Sequence, residues 1–306
     1  MMLIGAHIYH PSAALSVRGP DANSFLQGQF TNDLKRPIGA VTYGLWLNQK
    51  GKVVADSHVL RLAEAEFLVL SQHSAAAVIR QRLEDYLIAD DVTVTDETVA
   101  WRVIAVVGAR AKEIVTQVCG GAPEHDTFRV SDDGGRIFWG RYSVGENFSI
   151  ILPAERADGV FSRLLAAGCI ALDPGAAEAE RIVSDIPIVP LDIGPTDLPN
   201  EGGLEAAAIS YTKGCYLGQE VMARLKNLGQ VRRRLLVVES GGPVPVRGTE
   251  VFQAGKKIGE IRSAARRGDG FVAFAMLSLL NLNRSAGLSH TPDGPTDLHL
   301  VSSGPD

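Results

Sequence analysis

Cysteine is scarce in this chain. Only Cys119, Cys169 and Cys215 occur in 306 residues, and no two of them form a CxxC pair. So sparse and odd a count excludes a disulfide framework and reads as a reducing compartment. It also excludes a closed thiolate site for zinc or an iron–sulfur cluster built by local spacing. The seven histidines show no metal-ligand spacing either, so no resident metal is expected. No apolar run approaches the roughly 18 residues that cross a bilayer as a helix, so no transmembrane helix is expected. The opening residues, MMLIGAHIYHPSAAL, lack the basic and long apolar regions of a signal peptide, so the expected location is cytoplasmic. Neither sign of charge dominates. A formal net charge of −5 lacks the basic footprint of a dedicated duplex-DNA binder.

Apolar residues make up 45% of the chain, enough for a substantial core, and the length suits two or three domains. Gly19-Pro20-Asp21-Ala22 opens a helix, with proline and an acidic residue in its first turn. Val41 to Leu47 and Lys52 to Leu62 read as strands joined by the turn Asn48-Gln49-Lys50-Gly51. In the second strand, Val54, Asp56, His58, Leu60 and Leu62 share one face. Asp56 is thus a carboxylate in a partly apolar row, either an edge contact or a group held in a pocket for a polar ligand. Glu66 to Ser71 is a strand, Ser74 to Ile88 an amphipathic helix, and Asp91 to Thr95 a strand. The same kinds of element recur between Trp101 and Leu172, including a strand over Arg136 to Tyr142. Paired strands with a covering helix argue for an α+β fold. Residues 186–203 carry four prolines and three glycines and read as a long ordered loop. From Leu235 onward, short strands without a convincing helix indicate a small all-β domain. Two regions are therefore expected, an α+β region over 1–234 and a small all-β domain over 235–306.

Chemistry concentrates in Lys213-Gly214-Cys215-Tyr216-Leu217-Gly218-Gln219-Glu220. Cys215 stands between glycines, ahead of a helix expected from Gly218 through Leu225. A helix N-terminus and the nearby Lys213 ammonium both favour a thiolate; the competing reading is a small buried cysteine. Cys119 and Cys169 suit that bland reading better. Arg224, Lys226, Arg232, Arg233 and Arg234 form a basic cluster, either a solvated surface or a cradle for a polyglutamate tail, an RNA backbone or an acidic protein.

The stretch YTKGCYLGQEVMAR resembles the signature of the YgfZ-type folate-binding proteins. These are similar in turn to the aminomethyltransferase of glycine cleavage. Leu15 to Ala22 with Phe25-Leu26-Gln27-Gly28-Gln29 and Thr31-Asn32-Asp33, and Asn48 to Lys52 followed by Asp56, resemble further blocks of that family. The resemblance implies a GcvT-like fold around a central cavity, with two interleaved α+β domains over 1–234 and a C-terminal β-barrel over 235–306, and a tetrahydrofolate-type ligand. It also implies a part in making or repairing iron–sulfur clusters for client enzymes, some of which modify tRNA. It assigns the reactive roles to Cys215 and Lys213. The folate contacts it implies are Asp56, Arg181, Glu201, Gly214, Tyr216, Gln219 and Arg224. Partners would be a reduced folate, iron–sulfur client or assembly proteins, and RNA through Arg232, Arg233 and Arg234. Related proteins read Arg-x-Glu-x-Gly where this chain reads Arg181-Ile182-Val183-Ser184-Asp185, so Val183 replaces a glutamate. Glu180, Asp185 and Glu201 are its possible substitutes. A folate-dependent aminomethyltransferase or demethylase, and an interaction protein without folate, remain open beside the accessory role.

Overall fold

The computed structural model describes residues 4–228, 231–280 and 282–301. The chain begins with β1 (Gly5–Tyr9), β2 (Ala13–Arg18), α1 (Ala22–Gln29), β3 (Val41–Leu47), β4 (Val53–Ala63), β5 (Glu66–Ser71), α2 (Ala76–Glu84) and β6 (Thr93–Asp96). β2 to β6 form an antiparallel sheet in the order β3-β4-β5-β2-β6. Phe25 and Leu26 of α1 and Ile79 and Leu83 of α2 bury one face of it against Trp46, Val59 and Phe67.

Next come β7 (Trp101–Val107), α3 (Ala111–Cys119), β8 (Phe128–Val130), β9 (Arg136–Trp139), β10 (Asn147–Pro153), α4 (Ala154–Ala166) and β11 (Ile170–Ala171). They join a six-stranded sheet, β11-β1-β7-β10-β9-β8. Its β1 belongs to the opening residues, so the two sheets are interleaved along the chain. α3 and α4 cover its outer face. The inner faces of the two sheets meet, with Val41, Leu60, Leu68 and Leu70 against Val103, Phe138 and Ile151.

The rest comprises α5 (Pro174–Val183), α6 (Glu205–Ala208), α7 (Gln219–Leu228), β12 (Arg233–Gly241), β13 (Glu250–Gln253), β14 (Lys256–Arg267), β15 (Gly270–Ser278) and β16 (His299–Leu300). α5 starts sharply because Asp173 accepts from Gly175 N and Ala176 N and Pro174 fills the first turn. The last sheet runs β13-β14-β15-β12-β16. Bridges Leu288–Leu298 and Ser289–Phe252 carry it from β16 back to β13, which closes the expected barrel and removes its free edges.

A third core ties the barrel to the first sheet. Leu45, Leu47 and Val53 pack with Ile182, Val189, Tyr216, Met222, Leu235 and Phe274. Each such side chain contributes about 1.5–3 kcal/mol by leaving water. The expected loop over 186–203 is present as turns plus a 3-10 turn at Pro199–Gly202. Two expected elements are shorter in the structure. The helix predicted from Ser74 to Ile88 spans Ala76–Glu84, because Ser74 is engaged with Asp56. The strand predicted to Tyr142 ends at Trp139, because Asn147 Oδ1 accepts from Tyr142 N at 3.2 Å and turns the chain there.

Candidate functional site

Alternation along β4 decides where Asp56 points. Ala55 and Val59 face the helices, so Leu60 faces the second sheet, and Asp56 and His58 lie on that same inner face. Tyr43 pairs with His58 across β3–β4. Near this end of the sheets a cavity of ≈ 50 Å³ opens. The first sheet and the turn after it supply Tyr43, Asp56, His58, Ser71, Gln72 and His73. The turn after β9 supplies Arg141 and Tyr142; α5 and its exit supply Arg181 and residues 186–188. All three parts of the fold meet here.

Asp56 is held by hydroxyls. Its Oδ1 accepts from Ser71 Oγ at 3.1 Å and Ser74 Oγ at 2.9 Å, and its Oδ2 from Tyr43 Oη at 3.0 Å. Burial raises its carboxyl above the usual range, against those hydrogen bonds and the Arg141 charge. Ser74 Oγ also lies 3.0 Å from Val189 O, so its one proton is shared between two acceptors, and Oδ2 has room for one more donor. Burial likewise holds His58 down to about 3 and His73 down to about 4, so both imidazoles are neutral at neutral pH. The guanidinium of Arg141 lies over the Tyr43 ring, 3.7 Å from its centroid.

The expected ligand contacts divide on inspection. Asp56 and Arg181 line this cavity, but Arg181 is already occupied. Its Nε bonds Glu178 at 2.7 Å, Nη1 bonds Ile186 O at 2.9 Å and Asp192 at 2.8 Å, and Nη2 bonds Ser263 at 2.9 Å and Glu178. It is a joint between α5, the loop and the barrel. Glu201 lies elsewhere, accepting from Leu198 N at 2.7 Å and from Arg233 Nε at 2.8 Å. Val183 is partly exposed and Glu180 exposed, and neither lines the cavity. Asp185 stands where the resemblance expects glycine and adopts φ 55, a left-handed conformation that aspartate tolerates better than most residues. Asp56 is therefore the one carboxylate among the described residues lining this cavity.

The signature segment forms a second locus. Lys213 does not serve the thiol as the sequence suggests. Its Nζ donates to Gln27 O at 2.7 Å, Phe30 O at 2.6 Å and Asn32 O at 2.8 Å. Three carbonyls take its three protons at the C-terminal end of α1, where a cation is favoured. Burial lowers this lysine to about 8, with Asp33 opposing. Tyr216 is buried beneath the Lys213 ammonium, 5.3 Å from ring centroid to Nζ. Gln219 Oε1 accepts from Tyr216 N at 2.9 Å. Gly218, at φ +85, lies so close to Asn48 that a Cβ would stand 2.9 Å from its carbonyl oxygen. Gly214 has open space beside it.

Cys215 is exposed, whereas Cys119 and Cys169 are buried. Cys215 lines an open cavity of ≈ 420 Å³ with Gln49, Tyr216, Leu217, Gly218, Gln219 and Glu220. That cavity shares no residue with the one at Asp56, so the thiol does not open onto the expected folate cavity. Arg224 and Arg232 are exposed. Arg233 is tied to Asp197 and Glu201, both at 2.8 Å, so the three arginines do not present a joint phosphate cradle. Among the described residues, no group of three His, Cys, Asp or Glu could hold a metal, and no helix is long and apolar enough to cross a membrane.

Tyr43, His58, Ser71, Ser74 and Arg141 were not singled out as site residues by sequence. His58 was legible as a face-mate of Asp56. The others are brought in by strand pairing and by a turn in the second sheet.

Residues 10–213 match the GCVT N-terminal domain family, and residues 232–298 match the CAF17 C-terminal beta-barrel domain. The chain belongs to the GCVT family. The chain pairs these two domains, and proteins of the YgfZ type are among those it is similar to. It is 29% identical over 295 residues to a protein of Edwardsiella ictaluri named tRNA-modifying protein YgfZ, covering 94% of this chain and 88% of that one. It is 27% identical over 321 residues to a mitochondrial iron-sulfur cluster assembly factor of Mus musculus, covering 95% and 79%. Among solved structures, the glycine cleavage system aminomethyltransferase T of Bartonella henselae superposes with a TM-score of 0.79 at 20% identity, covering 93% of this chain and 81% of that one. That likeness shows the GcvT-like fold.

Proposed function

We propose that this chain is a folate-binding accessory protein that supports the assembly or repair of iron–sulfur clusters, including those of tRNA-modifying enzymes. The names of its relatives, a tRNA-modifying protein and an iron-sulfur cluster assembly factor, support the process. The observation that carries the ligand is Asp56, buried between two sheets with one acceptor position unfilled. A tetrahydrofolate ring is rich in N–H donors, and Asp56 Oδ2 would take one. His58, Gln72, His73 and Arg141 line the same space and have no side-chain hydrogen bond among the described residues. The chemistry of this lining therefore fits a reduced folate. Its volume of ≈ 50 Å³ is well below the roughly 300 Å³ of a small ligand pocket, so binding would widen it.

Cys215 acts apart from the folate. A solvent-facing thiol on its own open cavity meets groups arriving from outside, such as a client protein or a cluster being passed on. Lys213 positions the loop that carries it. In this reading, folate occupancy and thiol chemistry are separable. Calorimetric titration with tetrahydrofolate, paired with rates of Cys215 alkylation, tests it. Asp56→Asn should abolish measurable folate binding and leave alkylation unchanged. Cys215→Ala should leave folate binding intact and lower the activity of iron–sulfur enzymes in cells. Absence of tetrahydrofolate binding by the wild-type protein would favour the interaction protein without folate.

A further inference from the structure

Around the Asp56 cavity, the polar groups differ in how far the protein already uses them. Arg181 gives its donors to Glu178, Ile186, Asp192 and Ser263. Tyr43 and Ser71 give theirs to Asp56, and the one proton of Ser74 is taken by Asp56 or Val189 O. Arg141 makes no hydrogen bond and no ion pair among the described residues. Its contact with Tyr43 is through the ring face, and a cation–π contact consumes none of the five N–H donors of a guanidinium.

The position of Arg141 is nevertheless fixed. On one side, Gly140 N donates to Asn147 O at 3.0 Å; on the other, Tyr142 N donates to Asn147 Oδ1 at 3.2 Å. The Asn147 amide donates to Ser143 O at 2.9 Å and Gly145 O at 2.8 Å. Asn147 is itself 3% exposed. A side chain at Gly140 would stand 2.8 Å from its Oδ1. The turn therefore holds Arg141 from its backbone, Tyr43 holds it from its side chain, and Asp56 holds the Tyr43 hydroxyl. A free donor group fixed in this way has its ordering cost largely met before a ligand arrives.

We propose that Arg141 is the specificity-determining residue of this cavity, donating to an oxygen acceptor of the bound reduced folate while Asp56 Oδ2 takes one of its N–H groups. This rests on the folate reading above. The two groups are linked through one tyrosine, the carboxylate at its hydroxyl and the guanidinium over its ring, so they form a donor–acceptor pair of fixed spacing. The oxygen is either the oxo group of the pterin ring or a carboxylate of the glutamate tail, and both present the same chemistry to a guanidinium.

The experiment is calorimetric titration of the full chain, as wild type, Arg141→Met and Arg141→Lys, with tetrahydrofolate and with tetrahydrobiopterin, which has the reduced ring and no glutamate. Arg141→Met should bind tetrahydrofolate about ten- to a hundredfold more weakly, the loss expected for a charged hydrogen bond. Arg141→Lys, which keeps the charge and loses the fork, should fall between. Thermal melting of the free variants separates weak binding from unfolding, and if Arg141→Met does not fold, Arg141→Lys carries the test. An equal loss with both ligands assigns the ring oxygen, and a loss with tetrahydrofolate alone assigns the tail. Wild-type affinity in the folded variants overturns the assignment and leaves the folate reading standing. No binding by the wild type overturns both.

Discussion

Asp56 survives burial because three hydroxyls satisfy it. Replacing it with alanine would leave those hydroxyls without the acceptor they now share. Asp56→Ala should therefore lose about 1–3 kcal/mol in urea unfolding, and Asp56→Asn, which still accepts through one oxygen, should lose less. Asp185, at φ 55, is held in a region where glycine is at home. Asp185→Gly should raise stability by about 0.5–1 kcal/mol, read as a higher melting temperature. The cysteines should separate cleanly under native alkylation. Cys215 should react quickly. Cys119, whose thiol burial pushes up to about 11, and Cys169, also raised by burial, should react only on unfolding. At this scale, the sequence reached Asp56 through strand alternation and Cys215 through its motif. It could not reach the partners of Lys213, which lie more than 180 residues away in the chain, nor that of Arg181 at Ser263. No local pattern encodes such pairings.

Two elements that the sequence treats as separate motifs act as one. The turn between β3 and β4 and the N-terminus of α7 touch through glycines. Gly51 at φ +69 lies against Val221 and Met222, and Gly218 at φ +85 lies against Asn48. Gly218→Ala would add a Cβ 2.9 Å from a carbonyl oxygen and force a left-handed residue, costing about 1–3 kcal/mol. Limited proteolysis of that variant should cut faster around residues 212–218, with tetrahydrofolate affinity unchanged because the Asp56 cavity shares no residue with this contact. Element boundaries were legible where hydrophobic period was strong, as in β3 and β5. They were not legible where a side chain intervenes. Asn147 ends the strand before Arg141, and that turn, invisible to periodicity, is what carries Arg141 into the cavity.

On the scale of the whole molecule, the cavity sits where all three parts converge, and its ionisable groups couple their fit to pH. His58 and His73 have folded values near 3 and 4 against an ordinary 6.5. Between those values and 6.5 the unfolded chain binds more protons than the folded one, so stability is full above 6.5 and falls as pH drops through this window. Asp56, raised by burial, has the opposite sign and offsets part of the loss. The melting temperature should fall between pH 6.5 and 4, and His58→Gln should flatten that slope. The α+β class and the closing barrel were readable from the order of elements. The interleaving of the two sheets was readable only as an expectation from resemblance, because nothing local marks β1 as a strand of the second sheet.

That placement of β1 has a consequence for how the molecule is made. Its residues are made well before their partners, Val103–Val107 and Ile170–Ala171. The segment stays unpaired until Val107 has been made, and its other side is covered only when Ala171 has followed. During that interval β2 to β6 can already assemble, so β1 is locked in place after strands that follow it in the chain.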